Sequence, residues 1–415
     1  MSARRRRTKG SSDRIGQLRQ PDYRNLKNPF TPQTVFSDDE VENIHQTALK
    51  VLEELGMRVL LKEARELFRN AGARVDEDEQ MVFIGREIVE EALRTAPKRI
   101  EILGITPEYN VTMEQGALVF LGGGGCPNTT NRVRGRKPGT MEDLSELMKL
   151  TDSFDVMHTL NAAVEPQEVP VELRHLHTMQ LQTMVSDKIP FLYCRGTGQV
   201  EDCFRMMAIA RGISREEFEQ NCWVKTIINT NSPRQLDLPM GQGIIDFARA
   251  GQLSIITPFC LSGAMAPITV AGGLVLQHSE ALLGITLSQL AKPGAPVMYG
   301  SFASNVDMKS GAPALGTPSH IRSTLGSGQL ARRIGLPWRS GGGSAANCND
   351  AQAAHETEMA MWAAVLAGAT FIVHSTGWLE GGLSLSYEKF ITDMEMVQQF
   401  AELCSKTPAD TEACG

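Results

Sequence analysis

The sequence contains no C-x-x-C pair, no apolar run long enough to cross a membrane and no excess of positive charge, and each absence removes a class of function. Its eight cysteines, at positions 126, 194, 203, 222, 260, 348, 404 and 414, lie far apart without zinc-type spacing, as expected of reduced thiols in a cytoplasmic protein. The longest apolar stretch, Met359 to Val373, falls short of the roughly 20 residues a spanning helix requires. No charged start leads into an apolar segment with a small-residue cleavage site, so export is not indicated. A net charge of −7 and a pI near 5.7 exclude a general nucleic-acid binder, which needs a concentrated positive surface. The basic run Arg4 to Arg7 reads as a solvated terminus.

Familiar catalytic signatures are missing as well. No G-x-G-x-x-G follows the first strand of a βαβ pattern, and no G-x-x-x-x-G-K-[ST] occurs, so a dinucleotide or P-loop site is not expected. No G-x-S-x-G stands at a strand-to-helix turn. His355 and Glu356 begin like a zinc-protease helix, but position 359 is Met where the second histidine belongs. His175 and His177, two apart on a predicted helix, point to different faces. No metal site is expected.

What the sequence does contain is a long alternation. Residues 1–36, basic and then rich in Pro, Asn and Gln, are expected to form a disordered or extended arm. From Ser37, a cap with Glu40 three residues on, helical spacing runs through Val41, Ile44, Ala48, Val51 and Leu52 to a stop at Gly56. With helical patterns near 62–72 and 86–95, it predicts an N-terminal helical region over 37–115. Beyond it, strand-like runs at 118–122, 155–162, 189–194, 223–229, 253–260, 296–302, 336–340 and 370–375 alternate with helix-length segments. Eight strand-helix units predict a (β/α)₈ barrel over 116–405, followed by a tail over 406–415.

A barrel places chemistry at the C-terminal ends of its strands. Those ends are rich in small residues, as in "GGGGCPNTT" after the first strand and "GGGSAANCND" after the seventh. Glycine lets a ligand approach backbone closely, so a roomy cavity is expected. Around it stand Trp338, Trp378, Phe259, Phe302 and Tyr299, with Glu380 beside Trp378, and Arg339, Arg195 and Asn229 as polar groups. Aromatic faces attract cations, quaternary ammonium groups among them, and an arginine can hold a carboxylate at the other end of the same ligand. A zwitterion would suit both.

The segments "DDEVENIHQTALKVLEELGMRV", "LSGAMAPITVAGGLVLQHSEALLGITLSQL", "PGAPVMYGS", "DAQAAHE" and "LAGATFIVHSTGWLEGGLSLSYEKFITDMEM" resemble, in order and spacing, the trimethylamine methyltransferase family. The resemblance runs from about Phe36 to about Gln398. It implies a (β/α)₈ barrel that moves a methyl group from a methylated amine to the cobalt of a separate corrinoid protein. No cofactor is then bound tightly by the chain itself, because the cobalamin arrives on the partner. Trimethylamine enzymes carry pyrrolysine between "GLP" and the "DxQAxHE" segment, where this chain has Gly343 or Ser344. That departure resembles the branch acting on quaternary amines such as glycine betaine.

The resemblance implies catalytic roles for Glu380 and His355 and brings Gln352, Gly343 and Ser344 to the substrate site, to which the strand-end residues Trp378, Phe302, Trp338 and Arg339 and the loop glycine Gly342 are added. The glycines are expected to leave space for a bulky zwitterion. A homo-oligomer is the expected assembly. Family chains continue past the helix that ends near Leu403, whereas this sequence closes on the polar "SKTPADTEACG". Three alternatives stay open: trimethylamine as substrate, another acceptor such as tetrahydrofolate or a thiol, and a betaine-binding barrel without catalysis.

Overall fold

Strands that are buried on both faces read as continuous apolar runs and pair in parallel when helices connect them. In the computed structural model, which describes residues 20–405 and Thr407, six such strands form one parallel ladder. In spatial order they are Ala117–Phe120, Phe371–Val373, Trp338–Gly341, Val297–Gly300, Leu253–Ile256 and Lys225–Ile228. A seventh member, Leu26–Lys27, adds antiparallel to Ala117–Phe120.

Two more expected strands lie between the ends of this ladder as single bridges. His158 N donates to Phe120 O at 3.2 Å, and Thr159 bridges in parallel to Ile189. Phe191 then bridges to Lys225. Hydrogen bonding therefore passes through all eight segments, but the second and third do not build a continuous ladder. The physical reason is local. Pro190 has no N–H to give a ladder, and the fully buried Lys225 ammonium ties the segments together through its side chain instead, donating to the carbonyls of Leu160 (2.9 Å), Ile189 (3.4 Å) and Pro190 (3.5 Å).

Each segment leads into a helix, in order Met141–Asp152, Val171–Val185, Thr197–Arg211, Leu238–Arg249, Val270–Ala291, Pro318–Arg333, Ala351–Leu366 and Tyr387–Leu403. The fold is α/β. Helix Val270–Ala291 is long and apolar enough to cross a membrane, which the sequence reading overlooked, yet 78% of its apolar window is buried inside the protein. Neighbours cover it all round, as a core helix that is apolar on every face requires.

Two N-terminal expectations change. Ser37 caps helix Asp38–Lys50 with the expected capping box, and Gly56 ends the turn that follows at φ +66. The 37–115 region is nonetheless mixed rather than helical. Met57–Val59, Arg74–Asp76 and Met81–Phe83 join Gln235–Leu236 in a four-stranded sheet, and Arg99–Ile102 pairs with Val111–Glu114. Strands this short carry too few residues for a period-2 pattern to stand out beside the helices. The arm, from residue 20 onward, is extended and packed: Leu26 is buried and Asn28 Nδ2 donates to Val365 O at 2.7 Å. Residues 1–19, which include Arg4 to Arg7, and residues 406 and 408–415 of the tail lie outside the described part.

Two small sheets rise above the C-terminal strand ends and wall the mouth. One joins Phe259–Ser262, Phe302–Val306 and Pro313–Ala314. The other joins Trp378–Leu379, Ser384–Ser386, Asn128–Asn131 and Gly135–Pro138.

Candidate active site

Successive residues of a strand face opposite sides, so one residue of "LPWRS" points into the central space and its neighbour points outward. Arg339 points in. Trp338 points out, where its Nε1 donates to Gly368 O at 2.9 Å and its ring packs under Gly328. The sequence reading placed both in the site, and strand alternation removes Trp338 from it.

Arg339 lines a cavity of about 470 Å³ at the C-terminal strand ends. The guanidinium is 3% exposed, donates from one terminal nitrogen to Ser301 O at 3.0 Å, and leaves Nε without a partner. Among the described residues no carboxylate lies within ion-pair distance of it, and no Asp or Glu lines the cavity. Burial pushes its pKa down to about 9. Arg195, the other cationic lining residue, is already paired with Glu165 at 3.0 Å.

Aromatic side chains supply much of the wall. Phe302 stacks on Phe259 with centroids 5.1 Å apart, meets Trp378 edge to face at 5.8 Å, and lies 5.4 Å below the Arg339 guanidinium carbon. His374, which the sequence reading saw only as part of a strand, lines the same cavity. Its ring stacks on the Trp378 indole at 4.2 Å and 11°. Its backbone is left-handed at φ +56, an uncommon state for histidine, and burial followed by the nearby Arg339 charge holds its imidazole well below the usual range. Tyr193 and Asn161, at the ends of the third and second segments, were also not singled out. Their place at the end of a strand-like segment was the available signal for all three.

The glycine corner holds the protein's own side chains rather than a ligand. A β-carbon at Gly341 would stand 3.3 Å from Phe302, at Gly342 2.8 Å from the Met361 sulfur, and at Gly343, where φ is +99, inside the Trp378 indole. A β-carbon at Gly382 would also overlap the same indole. Gly342, Gly343 and Ser344 therefore do not line the cavity; they seat the residues that do. Buried Ser344 donates to Glu356 Oε2 at 2.7 Å, as do the amides of Ala345 (2.8 Å) and Ala346 (3.1 Å). Gln352 donates to the other Glu356 oxygen at 2.7 Å, and both Gln352 and His355 are exposed outside the cavity.

Glu380 stands at the rim without lining the cavity. Both its oxygens accept from Arg136 Nε, at 3.1 and 3.0 Å, and Oε2 also accepts from Ser384 Oγ at 2.7 Å. Thus the carboxylate expected to touch a cation is spent on holding the Trp378–Ser384 segment, of which Gly381, Gly382 and Leu383 line the cavity. Of the expected site residues, the structure brings Trp378, Phe302 and Arg339 together. The seven described cysteines are free, and among the described residues no group of three or more His, Cys, Asp or Glu side chains is placed to hold a metal.

The chain matches the family described as trimethylamine methyltransferase over residues 2–415. It is 35% identical to the glycine betaine methyltransferase of Desulfitobacterium hafniense (strain Y51), over 87% of this chain and 75% of that protein. It is 30% identical to a trimethylamine methyltransferase of Desulfitobacterium hafniense (strain DSM 10664 / DCB-2), over 88% and 73%. The crystal structure of the Methanosarcina barkeri monomethylamine methyltransferase shares its fold, with a TM-score of 0.57 at 9% identity over 90% of this chain and 76% of that one.

Proposed function

The chain belongs to the trimethylamine methyltransferase family and is a methyltransferase, and on that premise we propose that its methyl donor is a zwitterionic quaternary amine of the glycine betaine type. One observation carries the proposal: a buried arginine without a carboxylate faces an aromatic cavity. An unpaired buried charge is costly, and a ligand carboxylate that fills the free side of the guanidinium removes that cost. The trimethylammonium end of the same ligand then points away from Arg339 into a cavity lined by the Phe259 and Trp378 rings. A ligand that is only a cation would leave Arg339 unpaired and face its charge, which disfavours protonated trimethylamine.

The chemistry needs little from the protein beyond placement. A quaternary nitrogen already carries its positive charge, so when the carbon–nitrogen bond breaks, the electron pair stays on nitrogen and a neutral tertiary amine leaves. The methyl group goes to a nucleophile that brings its own electron pair. Holding the donor with one methyl toward the open end lowers the barrier by positioning. The acceptor in this proposal is the Co(I) of a corrinoid on a partner protein. We read the eight parallel segments as a (β/α)₈ barrel whose mouth receives it, and the protein as cytoplasmic.

The test is a panel of quaternary amines and trimethylamine with chemically reduced cobalamin, followed by the absorbance of the methylated cobalt. Glycine betaine or a near relative is expected to be demethylated and trimethylamine not. Robust turnover of trimethylamine would overturn the proposal, and betaine binding without turnover would establish a binding barrel instead.

A further inference from the structure

From the two asparagines that end the second and fourth segments, we infer that Asn161 and Asn229 form the cation pole of this cavity and select ligands by positive charge, each through its side-chain carbonyl oxygen. The inference rests on the proposed zwitterionic donor. Both residues line the cavity. Asn161 Nδ2 donates to Gly122 O at 2.9 Å, and Asn229 Nδ2 donates to Thr257 O at 3.0 Å. These bonds fix which way each amide points, because turning either over would set oxygen against oxygen. Among the described residues no donor reaches either Oδ1; Asn161 is half-buried and Asn229 exposed. Two acceptors are thus held ready with nothing of the protein's own to accept from.

The placement is built into the backbone. A β-carbon at Gly124 would overlap the Asn161 amide nitrogen, so that glycine in the "GGGGCP" loop makes room for this side chain. Around the eight segments Arg339 stands on the seventh, Asn161 follows the second and Asn229 follows the fourth. Going one way round Asn161 lies three places from the arginine, and going the other way Asn229 does. The two amides therefore lie on the side of the ring away from the guanidinium, and a zwitterion whose carboxylate reaches Arg339 turns its ammonium toward them.

Neutral acceptors are also suited to this reaction. Methyl departure drains positive charge from nitrogen, so a carboxylate against the ammonium would favour the ground state over the transition state. Amide dipoles orient the cation and lose less as its charge falls. The polarised N-methyl C–H groups are the donors they receive.

The experiment is isothermal titration of the full chain with glycine betaine and with 3,3-dimethylbutyrate, which keeps the shape and carboxylate but replaces the cationic nitrogen by carbon. Asn161→Leu and Asn229→Leu are expected to weaken betaine binding tenfold or more while leaving 3,3-dimethylbutyrate within about twofold of its original affinity. Asn229→Asp, which keeps an oxygen on that wall, is expected to bind betaine at least as tightly as the original chain and 3,3-dimethylbutyrate more weakly; melting curves identify any variant that fails to fold. Equal losses for both ligands would assign the asparagines to shape alone and overturn the inference, as would unchanged betaine affinity. Arg339→Leu should weaken both ligands alike. If it spares both, or if the original chain binds neither, the zwitterion proposal itself falls.

Discussion

The Trp378 indole occupies the volume that a side chain at position 343 would need. Gly343 sits at φ +99, so alanine there meets both a strained backbone and the indole. Gly343→Ala is expected to cost about 1–3 kcal/mol of stability and, by displacing Trp378, to weaken betaine binding. Gly294, at φ +81 with open space around it, serves as the control: Gly294→Ala should lower the denaturant midpoint without moving ligand affinity.

Gly377, next to Trp378 in the chain, is held by a buried ion pair. Lys389 Nζ donates to Asp393 Oδ1 and Thr357 Oγ1, both at 2.8 Å, while Asp393 Oδ2 accepts from Gly377 N at 2.8 Å. Asp393→Asn leaves the ammonium buried and unpaired, which should cost about 3–5 kcal/mol. Replacing both partners by apolar residues of similar volume should cost less. Chemical denaturation of the single and double variants reads the difference.

At the rim, Arg136 and Glu380 tie the hairpin 128–138 to the segment that lines the cavity. The pair is partly exposed, so Glu380→Gln should change stability by no more than about 1 kcal/mol. Betaine affinity should fall, and Arg136→Gln should produce a similar fall that does not add to the first. A double-mutant cycle on affinity checks this; additive losses would make Glu380 a direct ligand contact, as the sequence alone suggests.

Acid should destabilise the fold before carboxylates titrate. Burial holds His45, His158 and His320 down to about 4, and His278 and His374 well below their ordinary value. Each is neutral when folded but takes a proton in the unfolded chain below about pH 6.5. Their contribution is fully present above that value and is lost as the pH falls toward 4. Glu280 and Asp393, pushed up by burial, act in the opposite sense. Urea midpoints should therefore drop between pH 6.5 and 5, with a slope below about 1.4 kcal/mol per pH unit for each histidine.

Local order in the chain determined a great deal. The alternation of apolar runs and amphipathic segments placed the eight helices that follow the parallel segments, because periodicity of 2 and 3.6 is a property of neighbouring residues. It also named Arg339, Phe302 and Trp378, since strand ends carry the chemistry in such folds. What it could not supply was direction and occupancy. Whether Trp338 or Arg339 faces inward depends on the phase of one strand against its neighbours, and Lys225 joins the second and third segments only once Leu160 and Ile189 are brought to it. The empty appearance of Gly341 to Gly343 had the same limit. A glycine records that something comes close, and only the packed chain decided that Phe302, Met361 and Trp378 fill those places, because the contacts join residues far apart in sequence.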